Sequence, residues 1–153
     1  MSAPRAGTVP RIVAGVDGST HSINALRWAV HQAELTGGRI DAVIAWVFPI
    51  AAGGMGWAPT SGNDDTDYSE LPAKSLSEAV VEVSPPPGVT VHQVVVEGNP
   101  AQVLLDAAKD ADLLVVGSRG HGGFADALIG SVSVRCLHHA TCPVVVIRSP
   151  KHH

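Results

Sequence analysis

The sequence predicts an α/β domain in which a mostly parallel β-sheet is covered by helices on both faces. Short apolar runs of strand length alternate along the chain with longer segments whose apolar residues recur every three to four positions. The chain has 153 residues, 45% of them hydrophobic, which suits one domain with a substantial core. The predicted order of elements is β-α-β-α-β-α-β-α-β.

The first two predicted elements are a strand at residues 11–16 and a helix that follows a polar turn. The turn, residues 17–20, supplies side chains that can cap a helix. The helix is indicated by apolar residues at steps of three and four, namely Ile23, Leu26, Ala29, Val30 and Ala33. Gly37 and Gly38 follow this pattern, where a left-handed cap is expected.

The middle of the chain contains a second strand, a loop and a weak helix. Residues 41–48 are expected to form this second strand, which is buried and stops at Pro49. Residues 51–69 are rich in Gly, Pro, Ser and Asp and show no periodicity, so they are expected to form a flexible loop. The weak helix at residues 71–83 must end before the three prolines at 85–87.

The remaining elements are expected in the last third of the chain. Valines dominate a third strand at residues 89–96, and the dipeptide Asn99-Pro100 is typical of a helix start. Residues 112–116 form a fourth, buried strand. A last helix over residues 131–140 precedes a fifth strand at residues 143–147.

The strand order follows if the first three strands wind in one direction and the last two in the other. The sheet then has five parallel strands in the order 3-2-1-4-5, with helices on both faces, in a single Rossmann-like domain. In such sheets a ligand binds outside the carboxyl ends of the strands, where the winding reverses. Strands one and four flank this point and end at Asp17 and Gly117.

The glycine-rich stretch after strand four predicts an anion-binding loop. Its spacing is Gly117-x2-Gly120-x9-Gly130-Ser131. The first two glycines can adopt positive φ and let phosphate oxygens approach the backbone closely. A helix that begins at Ser131 directs free N–H groups at the same anion, and Ser133 adds a hydroxyl. The spacing fits neither a Walker loop nor a dinucleotide loop, and a plain flexible surface loop is the alternative.

Charge and hydropathy narrow the functional class. A net charge of -4, without a cluster of Lys and Arg, disfavours nucleic-acid binding. No apolar run approaches the ~20 residues of a membrane helix, and residues 1–9 contain no signal-peptide core. We therefore expect a cytoplasmic protein without membrane contact, with one domain at 10–149 between flexible tails at 1–9 and 150–153.

Two cysteines and two histidines lie close together near the end of the chain. Cys136, His138 and His139 fall on the last predicted helix, and Cys142 precedes strand five. Adjacent helical positions point about 100° apart, so helix packing is favoured over a metal site. Both cysteines are expected to be reduced thiols.

Three stretches of the sequence together form a recognisable pattern of motifs. They are Val13-Ala14-Gly15-Val16-Asp17-Gly18-Ser19, Glu97-Gly98-Asn99-Pro100 and residues 112–133. These stretches resemble the universal stress protein family, and the likeness extends over residues 10–148. Its most specific part is the glycine spacing given above, which is similar at every position to the signature of the ATP-binding branch of that family.

The resemblance implies a set of ATP-binding residues. Five of them would hold the triphosphate, namely Gly117, Gly120, Gly130, Ser131 and Ser133. Val132 would contribute its backbone N–H, and Asp17 would face the ribose or a Mg²⁺ ion bound to the phosphates. The backbone of Val47, after strand two, would contact adenine. Arg119 either neutralises phosphate charge or is solvated on the loop.

The function implied by the resemblance is that of an ATP-binding stress sensor or regulator with an unknown protein partner. Family members commonly form homodimers through the last strand, so residues 143–147 are the expected dimer edge. A slow ATPase or phosphotransferase is the competing interpretation, although the loop has no Lys and no evident water-activating Glu. A cyclic-nucleotide or AMP binder is the third, because glycine spacing does not report the number of phosphates.

Overall fold

The computed structural model of the protein describes residues 9–47, 69–119 and 129–148. These ranges contain the strands and helices β1 (Arg11–Val16), α1 (Thr20–Thr36), β2 (Arg39–Trp46), α2 (Glu70–Val83), β3 (Val91–Glu97), α3 (Pro100–Ala107), β4 (Leu113–Gly117), α4 (Ser131–His139) and β5 (Val144–Ile147). The predicted alternation of strands and helices is confirmed. The predicted tails at 1–9 and 150–153 and the predicted loop at 51–69 lie almost wholly outside the described residues.

The five strands form one parallel sheet in the order β3-β2-β1-β4-β5. This confirms both the predicted fold class and the predicted strand order. β1 is central, and its residue Val13 lies opposite Asp41 of β2 and Leu114 of β4. The chain therefore leaves β1 towards β2 and returns later on the other side at β4, so the winding reverses between β1 and β4.

Side chains that alternate along the strands divide the core into two layers. The first layer lies under α1 and α2 and includes Ile12, Leu26, Ile40, Ile44 and Leu76. The second layer lies under α3 and α4 and includes Val13, Val43, Leu104, Leu114 and Cys136. The inner strands are buried on both faces, which explains why their sequences are continuous apolar runs.

The helix ends confirm the predicted capping residues. Ser19 caps α1 by accepting a hydrogen bond from the N–H of Ser22, and Gly37 closes the helix in the left-handed region with φ 74°. Asn99 caps α3 in the same way and is followed by Pro100 at the first helical position. Among the described helices, none has both the length and the apolar character that crossing a membrane requires.

Arg11 connects several elements at the edge of the sheet where the strands begin. Its guanidinium donates to the carboxylate of Asp41 at 2.9 Å and to the carbonyls of Ala107 at 3.1 Å and Lys109 at 2.7 Å. Its backbone N–H donates to the carboxylate of Asp112 at 2.8 Å. The two carbonyls lie at the end of α3, where a helix cannot pair its last carbonyls internally. Arg11 therefore fastens β1, β2 and the end of α3 together.

Replacing Arg11 with Met is expected to lower the free energy of unfolding by about 2–3 kcal/mol, because Asp41 and two carbonyls lose a charged, partly buried donor. The measurement is urea denaturation of both proteins. Arg27→Met on the exposed face of α1 is the matched control and should stay within about 0.5 kcal/mol of wild type. Equal losses in the two variants would contradict this role for Arg11.

Candidate functional site

The carboxyl ends of β1 and β4 lie side by side at one edge of the sheet, which we call the site edge. β1 ends at Val16, directly before Asp17, and β4 ends at Gly117. The two strands are hydrogen-bonded neighbours, and the strand order reverses between them. The structure thus brings together the ends of the two strands that the sequence singled out, in the arrangement where α/β sheets bind ligands.

A hydrogen-bonded turn joins Asp17 to the start of α1. The Oδ1 atom of Asp17 accepts from the N–H of Ser19 at 2.9 Å. Ser22, which is buried, accepts from the Asp17 N–H at 3.1 Å and donates to the Ser19 carbonyl at 3.0 Å. Gly18 permits this turn with φ 83°. One carboxylate oxygen of Asp17 therefore shapes the turn, and the half-buried side chain stays at the site edge.

Gly117 allows β4 and α1 to approach each other closely. A Cβ atom on Gly117 would lie 2.7 Å from both the carbonyl carbon and the carbonyl oxygen of His21, in the first turn of α1. Gly117 is absent from the glycines of the described chain that have positive φ. The expectation that Gly117 adopts a positive φ is therefore wrong. Glycine is required here because a side chain would collide with the backbone of α1.

The first turn of α4 presents backbone N–H groups at the site edge. Gly130 is the N-cap in extended conformation and has no side chain to cap the helix. Its N–H donates to the Ser118 carbonyl, and its own carbonyl accepts from the N–H of Val134 at 3.0 Å. The N–H groups of residues 131–133 precede this first helical bond and cannot pair within α4. The turn therefore offers three donors and the positive end of a helix dipole.

Ser133 holds the first turn of α4 against the end of β4. Its side chain is buried, and its Oγ donates to the carbonyl of Gly117 at 2.6 Å. A hydroxyl has a single proton to donate, so the proton that was expected to reach a phosphate already has an acceptor. Sequence analysis missed this contact, which joins residues 16 positions apart. The backbone N–H of Ser133 still belongs to the group of three described above.

The other predicted residues that the structure describes lie near the site edge or on the neighbouring strand β2. Ser131 is exposed at the first position of α4, and Val132 is half-buried against the second layer. Arg119 is half-buried, two residues after the end of β4. Val47 is half-buried after β2, which neighbours β1. Gly120, the fifth predicted phosphate residue, lies outside the described residues.

The two cysteines differ in their surroundings. Cys136 is fully buried in the second layer, and Cys142 packs against it at half burial. Burial raises the pKa of the Cys136 thiol from its ordinary value of 9.0 to about 11, and it also raises the pKa of Cys142. Within the described ranges, no group of three or more His, Cys, Asp or Glu side chains could hold a metal ion. Cys136 is a packing residue of α4.

The raised pKa of Cys136 predicts a loss of stability at alkaline pH. The folded thiol stays protonated while the unfolded thiol ionises, so its contribution is complete below about pH 9 and is lost as the pH rises towards about 11. The loss should amount to about 2–3 kcal/mol across this window. Urea titrations at several pH values should show a smaller decline for Cys136→Ala than for wild type. Equal declines of the free energy of unfolding in the two proteins would contradict a raised pKa of the Cys136 thiol.

Sequence comparison relates the chain to one family. The model of the universal stress protein family matches residues 8–148. Universal stress protein Rv2623 of Mycobacterium tuberculosis is 35% identical over 144 residues, which cover 89% of this chain and 46% of the relative. Universal stress protein MJ0531 of Methanocaldococcus jannaschii is 32% identical over 146 residues, which cover 92% of this chain and 83% of the relative. The chain spans about half the length of its mycobacterial relatives.

Solved structures share the fold at lower identity. Universal stress protein UspA from Lactobacillus plantarum superposes with a TM-score of 0.71 at 24% identity, covering 93% of this chain and 99% of that one. A universal stress protein in complex with cAMP gives a TM-score of 0.65 at 20% identity, covering 92% and 98% of the two chains. The family match over residues 8–148 and a relative of 32% identity covered over most of its length agree with this fold: the chain belongs to the universal stress protein family.

Proposed function

We propose that this protein binds an adenine nucleotide, foremost ATP, at the site edge and acts as a nucleotide-dependent stress sensor or regulator in the cytoplasm. One observation carries the proposal: the N–H groups of residues 131–133, which have no partner within α4, lie where the strand order reverses. Such N–H groups, aligned with the helix dipole, suit a phosphate. Fold neighbours solved with cAMP, dAMP and AMP support adenine as the base.

The proposal gives each predicted residue a role, and for the residues that the structure describes this role fits their surroundings. The N–H groups of residues 131–133 and the exposed hydroxyl of Ser131 would bind phosphate oxygens. Gly117 would seat the loop against α1, Gly120 would let a phosphate oxygen approach the backbone, and Arg119 would offset the negative charge. Asp17 would accept from ribose hydroxyls, and the Val47 backbone, one strand away, would contact adenine.

A Mg²⁺ ion would be held chiefly by the nucleotide. Asp17 is the carboxylate that directly follows β1 at the site edge, and its Oδ1 already accepts from Ser19. Mg²⁺ in nucleotide sites keeps several waters and binds through one or two carboxylates together with substrate phosphates. Asp17 fits that limited role, in which the ion neutralises phosphate charge. The loop at residues 117–131 contains neither a Lys nor a Glu, which favours a regulator over an efficient ATPase, with slow hydrolysis as the alternative.

The test is a calorimetric titration of purified, nucleotide-stripped protein with ATP, AMP and cAMP, each with and without Mg²⁺. Micromolar ATP binding is the expected result. Tighter binding of AMP or cAMP than of ATP would favour a monophosphate ligand, the specificity suggested by the neighbours' own complexes. No binding of any of the three nucleotides would refute the proposed function.

We also propose a homodimer through β5, the last strand on its side of the sheet. The carbonyls of Pro143 and Ile147 accept from Leu114 and Ser118, so they face β4. Backbone groups alternate in direction along a strand, so Val144 and Val146 turn theirs away from β4. This outward edge is apolar and suited to pairing with a second copy.

Val146→Pro tests the proposed dimer, because it removes an outward N–H that the pairing with β4 does not use. The variant is expected to be monomeric by light scattering at concentrations where wild type is dimeric. Val146→Ala is the matched control, since it shortens the same side chain and keeps the N–H. A monomeric wild type, or a dimeric proline variant, would exclude this edge as the interface.

A further inference from the structure

His21 lies in the first turn of α1, next to the end of β4. Apart from the chain neighbours of Gly117, the three atoms nearest to the Cβ that this glycine lacks are the carbonyl carbon, carbonyl oxygen and Cβ of His21, at 2.7, 2.7 and 2.9 Å. Alanine has all three of these atoms, so the close approach of α1 and β4 does not require an imidazole. The half-buried ring of His21 therefore needs a reason other than this contact.

The position of His21 on α1 directs its side chain towards the sheet and the site edge. Residues four positions apart lie on the same face of a helix, and Ala25, four positions after His21, is fully buried in the first layer. Helical side chains also tilt towards the start of their helix, which for α1 lies at the site edge. The imidazole of His21 is therefore directed past the end of β4 towards the site edge.

The first turns of α1 and α4 approach Gly117 from opposite faces of the sheet. His21 of α1 lies on the side where the glycine has no side chain, and Ser133 of α4 donates to the Gly117 carbonyl at 2.6 Å. With standard bond lengths, the His21 Cβ and the Ser133 Oγ each lie within about 5 Å of the Gly117 Cα, so they are at most about 10 Å apart. An imidazole with its hydrogen bond extends about 6 Å from Cβ. A phosphate on the N–H groups of residues 131–133 would therefore be within reach of His21.

We propose that His21 is a further ligand-binding residue, whose imidazole donates a hydrogen bond to a phosphate oxygen of the nucleotide at the first turn of α4. The inference rests on the proposed nucleotide function and deepens it, because it adds a side chain from α1 to the backbone donors of α4. An imidazole has at least one N–H donor in either protonation state, so the contact does not require a charged ring. The positive ends of the α1 and α4 dipoles also favour an anion between them.

Alanine at position 21 removes the proposed donor and keeps the packing of α1 on β4. The atoms of His21 that lie nearest to Gly117 remain, and alanine has a higher helix propensity than histidine. We therefore expect His21→Ala to keep a urea midpoint close to that of wild type and to bind ATP about tenfold to a hundredfold more weakly, with adenosine affinity unchanged. His21→Gln retains an N–H donor on a side chain of similar length and should recover part of the ATP affinity.

The experiment compares wild type and these two variants with His31→Ala, which removes an exposed histidine from the same helix and is the matched control. Calorimetry with ATP, AMP and adenosine measures affinity, and urea denaturation without nucleotide measures stability. His31→Ala should match wild type in both measurements. The AMP titration locates the contact. An unchanged AMP affinity in His21→Ala assigns His21 to the outer phosphates, and a loss as large as that for ATP assigns it to the α-phosphate.

Wild-type ATP affinity in His21→Ala would overturn the assignment. An equal loss of adenosine affinity, or a marked fall in the urea midpoint of His21→Ala, would also overturn it, because His21 would then be a structural residue of α1. If wild type binds ATP in these cases, the nucleotide function stands and only the role of His21 is rejected. If wild type binds no adenine nucleotide, the proposed function fails and the role of His21 fails with it.

Discussion

Replacing Gly130 with Asp is expected to weaken ATP binding by at least about a hundredfold while leaving the stability of the free protein unchanged or slightly higher. Asp is a favourable N-cap residue, and the present cap has no side chain. The same carboxylate would lie beside the N–H groups that the proposal assigns to phosphate. Its negative charge would repel the negative charge of the bound phosphate. Calorimetry with ATP and urea denaturation without nucleotide would measure the two effects separately.

Gly130→Asn is the matched control, because its side chain has nearly the same shape and capping ability without the charge. We expect this variant to keep an ATP affinity much closer to that of wild type. If Asp and Asn reduced affinity equally, the effect would be steric, and the electrostatic account of the first turn of α4 would be rejected. Wild-type affinity in the Asp variant would remove this turn from the binding site.

Replacing Gly117 with Ala is expected to lower the free energy of unfolding by about 2 kcal/mol or more. A Cβ at this position would lie 2.7 Å from the backbone of His21, and a backbone cannot rotate away as a side chain can. The substitution must therefore push α1 away from β4. It should also weaken nucleotide binding, because the Gly117 carbonyl accepts the hydrogen bond that positions α4.

Gly88→Ala is the control for this substitution, since no atom other than those of its chain neighbours lies within 4 Å of the added Cβ. Replacing glycine with alanine reduces the entropy of the unfolded chain in both variants. The difference in their free energies of unfolding, measured by urea denaturation, therefore reports the cost of the contact with His21. We expect Gly88→Ala to be neutral or slightly stabilising. Similar stability of the two variants would show that α1 can shift without cost.

The architecture could be predicted because each inner strand is buried on both faces and reads as an apolar run. The boundaries were less accurate where polar residues join the sheet. β2 begins at Arg39, two residues before the predicted start, because the Arg39 N–H donates to the Pro10 carbonyl. Because Arg39 is charged, an apolar run cannot mark it as the first residue of the strand, and the prediction from hydropathy began too late.

That the ends of β1 and β4 are neighbours could be predicted, whereas several contacts around the candidate site join residues distant in sequence. The reversal of winding placed Asp17 and Gly117 at one edge, and the structure agrees. The reason for glycine at 117 is a backbone on another element, 96 positions earlier by residue number. The contact of Arg11 with Asp112 spans 101 positions. Local pattern analysis does not detect such pairs, because nothing in either segment specifies its partner.

The peptide group of Gly117 links the two faces of the sheet mechanically. One side of it rests against the first turn of α1, and its carbonyl is held by Ser133 of α4. An anion bound at the first turn of α4, as proposed above, would act on β4 through this peptide group and through the bond from the Gly130 N–H to the Ser118 carbonyl. The proposed ligand would therefore act on a strand that packs directly against α1 on the opposite face of the sheet, and this contact would give a regulator a route from the ligand to a distant surface.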